Sequence, residues 1–81
     1  MTVTVKLFAA AREMIGSEEV KLELPEGATV GDAKRVLTER YPQIAGLLSR
    51  SVMARNQEYA LDVDVVAASD ELAVIPPVSG G

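Results

Sequence analysis

The chain contains neither cysteine nor histidine. Without thiols it has no disulfide framework, no sulfur nucleophile and no thiolate ligand for zinc. Without imidazole it lacks the commonest acid–base group at neutral pH. Ser17, Ser49, Ser51, Ser69 and Ser79 therefore have nothing to activate them, and no serine triad can be assembled. Catalysis by this chain alone is not expected. Basic clusters are missing as well: the net charge is −4, the sequence pI is about 4.6, and Lys and Arg are scattered. That distribution argues against a nucleic-acid partner or a polybasic membrane patch. No apolar run approaches bilayer length and no charged segment introduces one near Met1, so a cytoplasmic location is expected.

What is present is an ordinary globular composition in 81 residues, 48% hydrophobic and 25% charged, with no repeat or low-complexity tract. A chain of this length folds as one domain around a single core. Asp62, Asp64, Asp70 and Glu71 offer carboxylates, but their spacing matches no calcium loop, and solvated turns account for them. No metal site and no intrinsic cofactor are expected.

The periodicities define the architecture. Residues 2–8 alternate with a two-residue period that turns Val3, Val5 and Leu7 to one side, as in a half-buried strand. Phe8, the only phenylalanine, falls on the opposite parity. It points to the far face of the sheet, or else the strand stops at Leu7 and Phe8 turns into the core. Residues 9–16 are too short for a helix to be assigned, and Gly16-Ser17 turns the chain into a second strand at 19–24. Thr29 and Asp32 form a capping-box pair ahead of an apolar stripe of Val30, Ala33, Val36, Leu37 and Tyr41, and Pro42 closes that helix. Residues 44–48 add a short turn. Strands follow at 52–55, 58–61 and 71–76, with Asn56-Gln57 as a turn between the first two. Met14 and Met53 are read as packing residues, and Tyr41 and Tyr59 as half-buried with outward hydroxyls. The resulting order, β-β-α-β-β-β, predicts an α+β fold: a mixed sheet with one main helix across one face and the other face open. If the first and last strands are neighbours, Phe8 and Ile75 form an apolar patch on that open face.

The sequence closes on Ile75-Pro76-Pro77-Val78-Ser79-Gly80-Gly81. The prolines end the last strand and stiffen the exit, and the glycines are narrow enough to thread a slot. From Pro77 to Gly81 the extended chain would reach roughly 17 Å. Residues 1–76 are accordingly read as the domain and 77–81 as an extended tail whose terminal carboxylate is the expected reactive group.

Leu7-Phe8-Ala9 with Arg12-Glu13 and Gly16, Pro25-Glu26-Gly27 with Thr29-Val30, Tyr41-Pro42, Leu47-Leu48, Asn56-Gln57-Glu58-Tyr59, Asp70-Glu71 and the Pro-Pro-Val-Ser-Gly-Gly ending together resemble the small, sulfur-carrying subunit of molybdopterin synthase. The resemblance spans the chain and is most specific at the ending. It implies a ubiquitin-like β-grasp fold and a carrier cycle. Gly81 would be adenylated by a ubiquitin-activating-like adenylyltransferase that uses ATP. A persulfide donor would then convert it to a thiocarboxylate, and the sulfur would pass to a pyranopterin precursor in the large synthase subunit, within a heterotetramer of two small and two large subunits. It further implies that Phe8 and Ile75 contact the partners, that Arg12 reaches an acidic group there, that Pro76, Pro77, Val78 and Ser79 line the tunnel contact, and that Gly80 lets the tail pass a constriction. An unpartnered Arg12 would instead be a solvated charge. Two positions depart from the family pattern: Ser69 precedes Asp70-Glu71 where glycine is common, and Ile75 stands where an aromatic is frequent. Two other readings share the ending or the patch: a β-grasp carrier of thiamine, cysteine or tRNA-thiolation chemistry, and a non-covalent ubiquitin-like binding module.

Overall fold

The computed structural model describes residues 1–78. Strand β1 (Thr2–Leu7) buries Val3, Val5 and Leu7 and turns Thr2, Thr4 and Lys6 to the other face, as the two-residue period requires. It pairs antiparallel with β2 (Glu19–Glu23), whose Val20 and Leu22 join the same core face. The last strand, β5 (Glu71–Ile75), lies parallel to β1 on its other side and contributes Leu72 and Val74 to the core. Strands β3 (Val52–Arg55) and β4 (Glu58–Ala60) form the hairpin that completes a five-stranded mixed sheet in the order β2-β1-β5-β3-β4.

Between β1 and β2 the chain forms a helix, α1 (Ala9–Ile15), where no helix was assigned from the sequence. Three consecutive alanines supply the propensity, the buried Ala11 anchors it, and Gly16 at φ 83° closes it in the left-handed conformation that only glycine adopts freely. Such a short helix survives because it packs on the core rather than through propensity.

The main helix, α2 (Val30–Arg40), begins with the expected reciprocal cap. The Asp32 N–H donates to Thr29 Oγ1 at 3.2 Å and the Thr29 N–H donates to Asp32 Oδ2 at 2.9 Å. Val30, Ala33 and Leu37 are buried against the sheet, with Val36 and Tyr41 half-buried beside them. Two of the orphan donors at this helix start are satisfied by the segment after β4: Val30 and Gly31 N–H groups donate to the carbonyls of Asp64 and Asp62, each at 2.9 Å. A Cβ at Gly31 would sit 3.3 Å from Asp62, so the close approach of the two backbones selects glycine there. A 3₁₀ turn (Pro42–Ile44) and a short helix α3 (Ala45–Ser49) then cover the end of the core with Ile44 and Leu48.

The helices all lie on the core face and leave the opposite face of the sheet uncovered by any element of the described chain. This is the α+β, β-grasp arrangement expected from the sequence. Two side-chain expectations fail. Met14 is 43% exposed and is not among the residues packed on the core, and Tyr59 is 83% exposed, because β4 is an edge strand that no described element covers.

Candidate functional site

Parity and register together assemble the open face. Because Leu7 is paired with Val74, the next residues of the two parallel strands, Phe8 and Ile75, emerge side by side on the uncovered surface. Phe8 is outside the strand proper but keeps extended dihedrals (φ −124°, ψ 152°), so its side chain follows the strand's alternation and remains half exposed instead of turning into the core. The turn at this point is sharp: Ala9 takes φ 49°, a left-handed conformation costly for a residue with a Cβ.

Phe8 and Ile75 line a depression of about 580 Å³ with Ala54, Ala73, Glu71, Gln57, Glu58 and Tyr59. The β3–β5 register places Ala54 opposite Ala73 and Val52 opposite Ile75, and the β3–β4 register places Tyr59 opposite Ala54. Small residues thus floor the depression, and Phe8, Ile75 and Tyr59 stand around it together with the polar Glu71, Gln57 and Glu58. Val52 is half exposed beside Ile75, and Tyr59 stands at the sheet edge. The apolar surface is therefore broader than the Phe8 and Ile75 pair read from the sequence. Tyr59, Val52 and Ala54 were missed. The available signal was the two-residue turn at Asn56-Gln57, which sets Glu58 opposite Arg55 and so aligns Tyr59 with Ala54. The opposite half of the same face, on β1 and β2, is polar: Lys6 and Lys21 pair with Glu19 at 3.9 and 3.4 Å.

Arg12 does not join this depression. It sits on α1 with its guanidinium 3.9 Å from the Glu18 carboxylate, both side chains well exposed, which leaves it able to exchange that weak pair for a partner's acid. Pro76, Pro77 and Val78 run from the end of β5 along a cleft formed with Ala9 and Ala10 of α1 and Leu47 of α3. Pro76 is half-buried, and Val78 is 92% exposed. The root of the tail therefore leaves the domain next to the apolar depression. Ser79, Gly80 and Gly81, assigned from the sequence to the tunnel contact and the reacting carboxylate, lie outside the described residues.

Asp62, Asp64 and Asp70 are each engaged within the domain. Asp62 pairs with Lys34 at 3.2 Å, Asp64 accepts the Leu61 N–H at 2.8 Å, and Asp70 accepts the Ala67 N–H at 2.8 Å. The backbone bond from Ala67, reinforced by the Asn56 amide, holds the Asp70 carboxyl below the ordinary aspartate value. Among the described residues no group of acidic side chains is placed to hold a metal ion, and no helix is long and apolar enough to cross a membrane.

Comparison with known proteins places this geometry in a family. The ThiS family model matches residues 5–81. The chain is 40% identical over 79 residues to a molybdopterin synthase sulfur carrier subunit of Arabidopsis thaliana, covering 98% of this chain and 82% of that one. It is 42% identical over 80 residues to the protein of the same name in Dictyostelium discoideum, covering 95% and 93%. Among solved structures it superimposes on small archaeal modifier protein 1 of Haloferax volcanii with a TM-score of 0.91, at 36% identity over 100% of both chains.

Proposed function

The chain belongs to the ThiS family, and from that premise we propose that it is the sulfur-carrier subunit of a molybdopterin synthase. The observation that carries this reading is the near full-length likeness to two proteins of that name, at 40% and 42% identity. The arrangement of the surface supports it: an apolar docking depression adjoins the root of a tail ending in Gly80-Gly81.

A carboxylate is ionised at neutral pH and is a poor electrophile. Gly81 is therefore activated in a partner, a ubiquitin-activating-like adenylyltransferase, where its oxygen attacks the α-phosphorus of ATP and pyrophosphate leaves. The outer sulfur of a persulfide donor then attacks the acyl adenylate and AMP leaves; a thiol cleaves the S–S bond of the resulting acyl disulfide, being oxidised to a disulfide itself, and a C-terminal thiocarboxylate remains. The carrier docks on the large subunit through Phe8, Ile75 and their neighbours, and Pro76 to Gly80 carry the sulfur to the pyranopterin precursor. The chain supplies no acid or base for these steps. Its contribution is to hold the tail root at a fixed place beside the docking face, which converts sulfur delivery into an oriented, effectively intramolecular event. This cycle is cytoplasmic.

The likeness to a protein named a modifier favours a second use of the same terminus. An activated glycyl carbonyl is open to an amine as well as to sulfur, and attack by a lysine amine of another protein would give an isopeptide. The test is reconstitution with the large synthase subunit and the cyclic pyranopterin phosphate. Thiocarboxylated full-length chain is expected to yield the dithiolene product, and a Gly81 deletion to bind without yielding it. Failure to form product beside an active known carrier, with higher-mass conjugates appearing instead, would favour the modifier reading.

A further inference from the structure

The two walls of the docking depression are held very differently. One wall, Glu71, Ala73 and Ile75, belongs to β5, which is hydrogen-bonded to β1 on one side and β3 on the other. The other wall, Gln57, Glu58 and Tyr59, belongs to the hairpin turn and to β4, an edge strand of three residues bonded only to β3. Among the described residues Tyr59 is left 83% exposed. Both turn residues adopt positive φ, 53° at Asn56 and 70° at Gln57, without a glycine to make that conformation cheap.

Asn56 crosses from this weak wall to the strong one. Its backbone N–H donates to the Glu71 carbonyl at 2.8 Å, and its Oδ1 accepts the Glu71 N–H at 2.9 Å. Its Nδ2 donates to Asp70 Oδ1 at 2.8 Å, and the other Asp70 oxygen accepts the Ala67 N–H at 2.8 Å. The residue therefore meets Glu71 as a paired strand residue would, with the side-chain amide standing in for the missing backbone acceptor. Only an amide offers both a donor and an acceptor in this span, and asparagine also tolerates the left-handed backbone.

We infer that Asn56, through its bonds to Asp70 and Glu71, is a positioning residue for partner docking that fixes the Tyr59 wall of the depression against the Ile75 wall. This rests on the reading of that depression as the docking face. A wall that must be ordered on binding subtracts its ordering entropy from the affinity, whereas a wall tied in advance does not.

The test compares affinity for the purified large synthase subunit, and KM and kcat for sulfur transfer, across Asn56→Asp, the exchanged pair Asn56→Asp with Asp70→Asn, and Phe8→Ala. All are measured well below the unfolding temperature of every variant. Asn56→Asp sets two carboxylates against each other and removes the donor, so about tenfold weaker binding and a matching rise in KM at unchanged kcat are expected. The exchanged pair restores every bond: the carboxylate at 56 accepts from Glu71 and from the amide at 70, and that amide's oxygen accepts from Ala67. Its affinity should return to within about twofold of the parent. Parental affinity for Asn56→Asp, with only its unfolding temperature lowered, would overturn the inference, as would an exchanged pair no better than the single variant. Phe8→Ala separates the two layers. If it weakens binding while Asn56→Asp does not, the positioning role fails alone; if it too binds like the parent, the docking face itself is wrong.

Discussion

Leu7 lies opposite Val74 in the parallel pair that joins the first and last strands. Both side chains are buried, so the residues that follow them, Phe8 and Ile75, are obliged to emerge together on the uncovered face. The chain leaves the sheet one residue later, at Pro76, just ahead of the tail read from the sequence as residues 77–81. A single register thus places the proposed docking contacts and the exit of the chain towards its Gly-Gly end at one corner of the molecule.

Truncating that corner should separate binding from folding. Phe8→Ala and Tyr59→Ala are each expected to weaken association with the large subunit by about 1–2 kcal/mol, because exposed aromatics at an interface centre commonly carry that much. Neither should unfold the free domain. Ile75→Ala is expected to act similarly on binding, with a small cost in stability because the side chain is half-buried. Leu72→Ala, fully buried on the core face of the same strand, supplies the scale, at about 2–5 kcal/mol of lost stability. Calorimetric binding and thermal unfolding on the same preparations check both; unfolding of Phe8→Ala as early as Leu72→Ala would contradict the exposed-face assignment.

The hairpin turn offers a gain. Gln57 sits at φ 70° in the second central position of a two-residue turn, where glycine is the preferred occupant. Relief of the left-handed conformation outweighs the extra freedom glycine brings to the unfolded chain. Gln57→Gly is expected to raise the unfolding free energy by about 0.5–1 kcal/mol in urea titration. A decrease would mean that the glutamine side chain holds the turn.

Acid should weaken the fold through identifiable carboxylates. The Thr29 backbone N–H, helped by Arg35, lowers the pKa of Asp32, and the Ala67 N–H, helped by Asn56, lowers that of Asp70, from the ordinary 3.8. A carboxyl group whose folded value is depressed stabilises the fold above its unfolded value and loses that contribution as pH falls through the folded one. Stability is therefore expected to decline below about pH 4, in the aspartate range. Asp32→Asn should be less stable than the parent at neutral pH, and the gap should close on acidification. A gap independent of pH would assign the loss to the cap's shape and not to its charge.

The fold was legible in the sequence wherever a local period ran long enough. Alternation in residues 2–7 and the Thr29–Asp32 cap ahead of an apolar stripe identified β1 and α2 without reference to any relative. Helix α1 was not legible, since seven residues beginning with three alanines carry propensity but no readable period, and their helicity depends on burial of Ala11. The open apolar face was half legible for a related reason. Phe8 and Ile75 follow from parity within their own strands. Val52, Ala54 and Tyr59 join them only through the pairing of β3 with β5 and of β4 with β3, and those registers are non-local. Tyr59 was misjudged because edge position, which decides its exposure, is a property of the whole sheet.

Whether Gly81 carries sulfur is read from the intact mass of the chain. The protein is incubated with the activating enzyme, ATP and a persulfide sulfur source, alongside a Gly81 deletion and a known carrier. Sulfur carriage predicts a gain of about 16 Da, one oxygen replaced by sulfur, confined to the chain that retains Gly81. An unchanged mass while the known carrier is converted would contradict it and leave the open face as a binding surface without a covalent cycle.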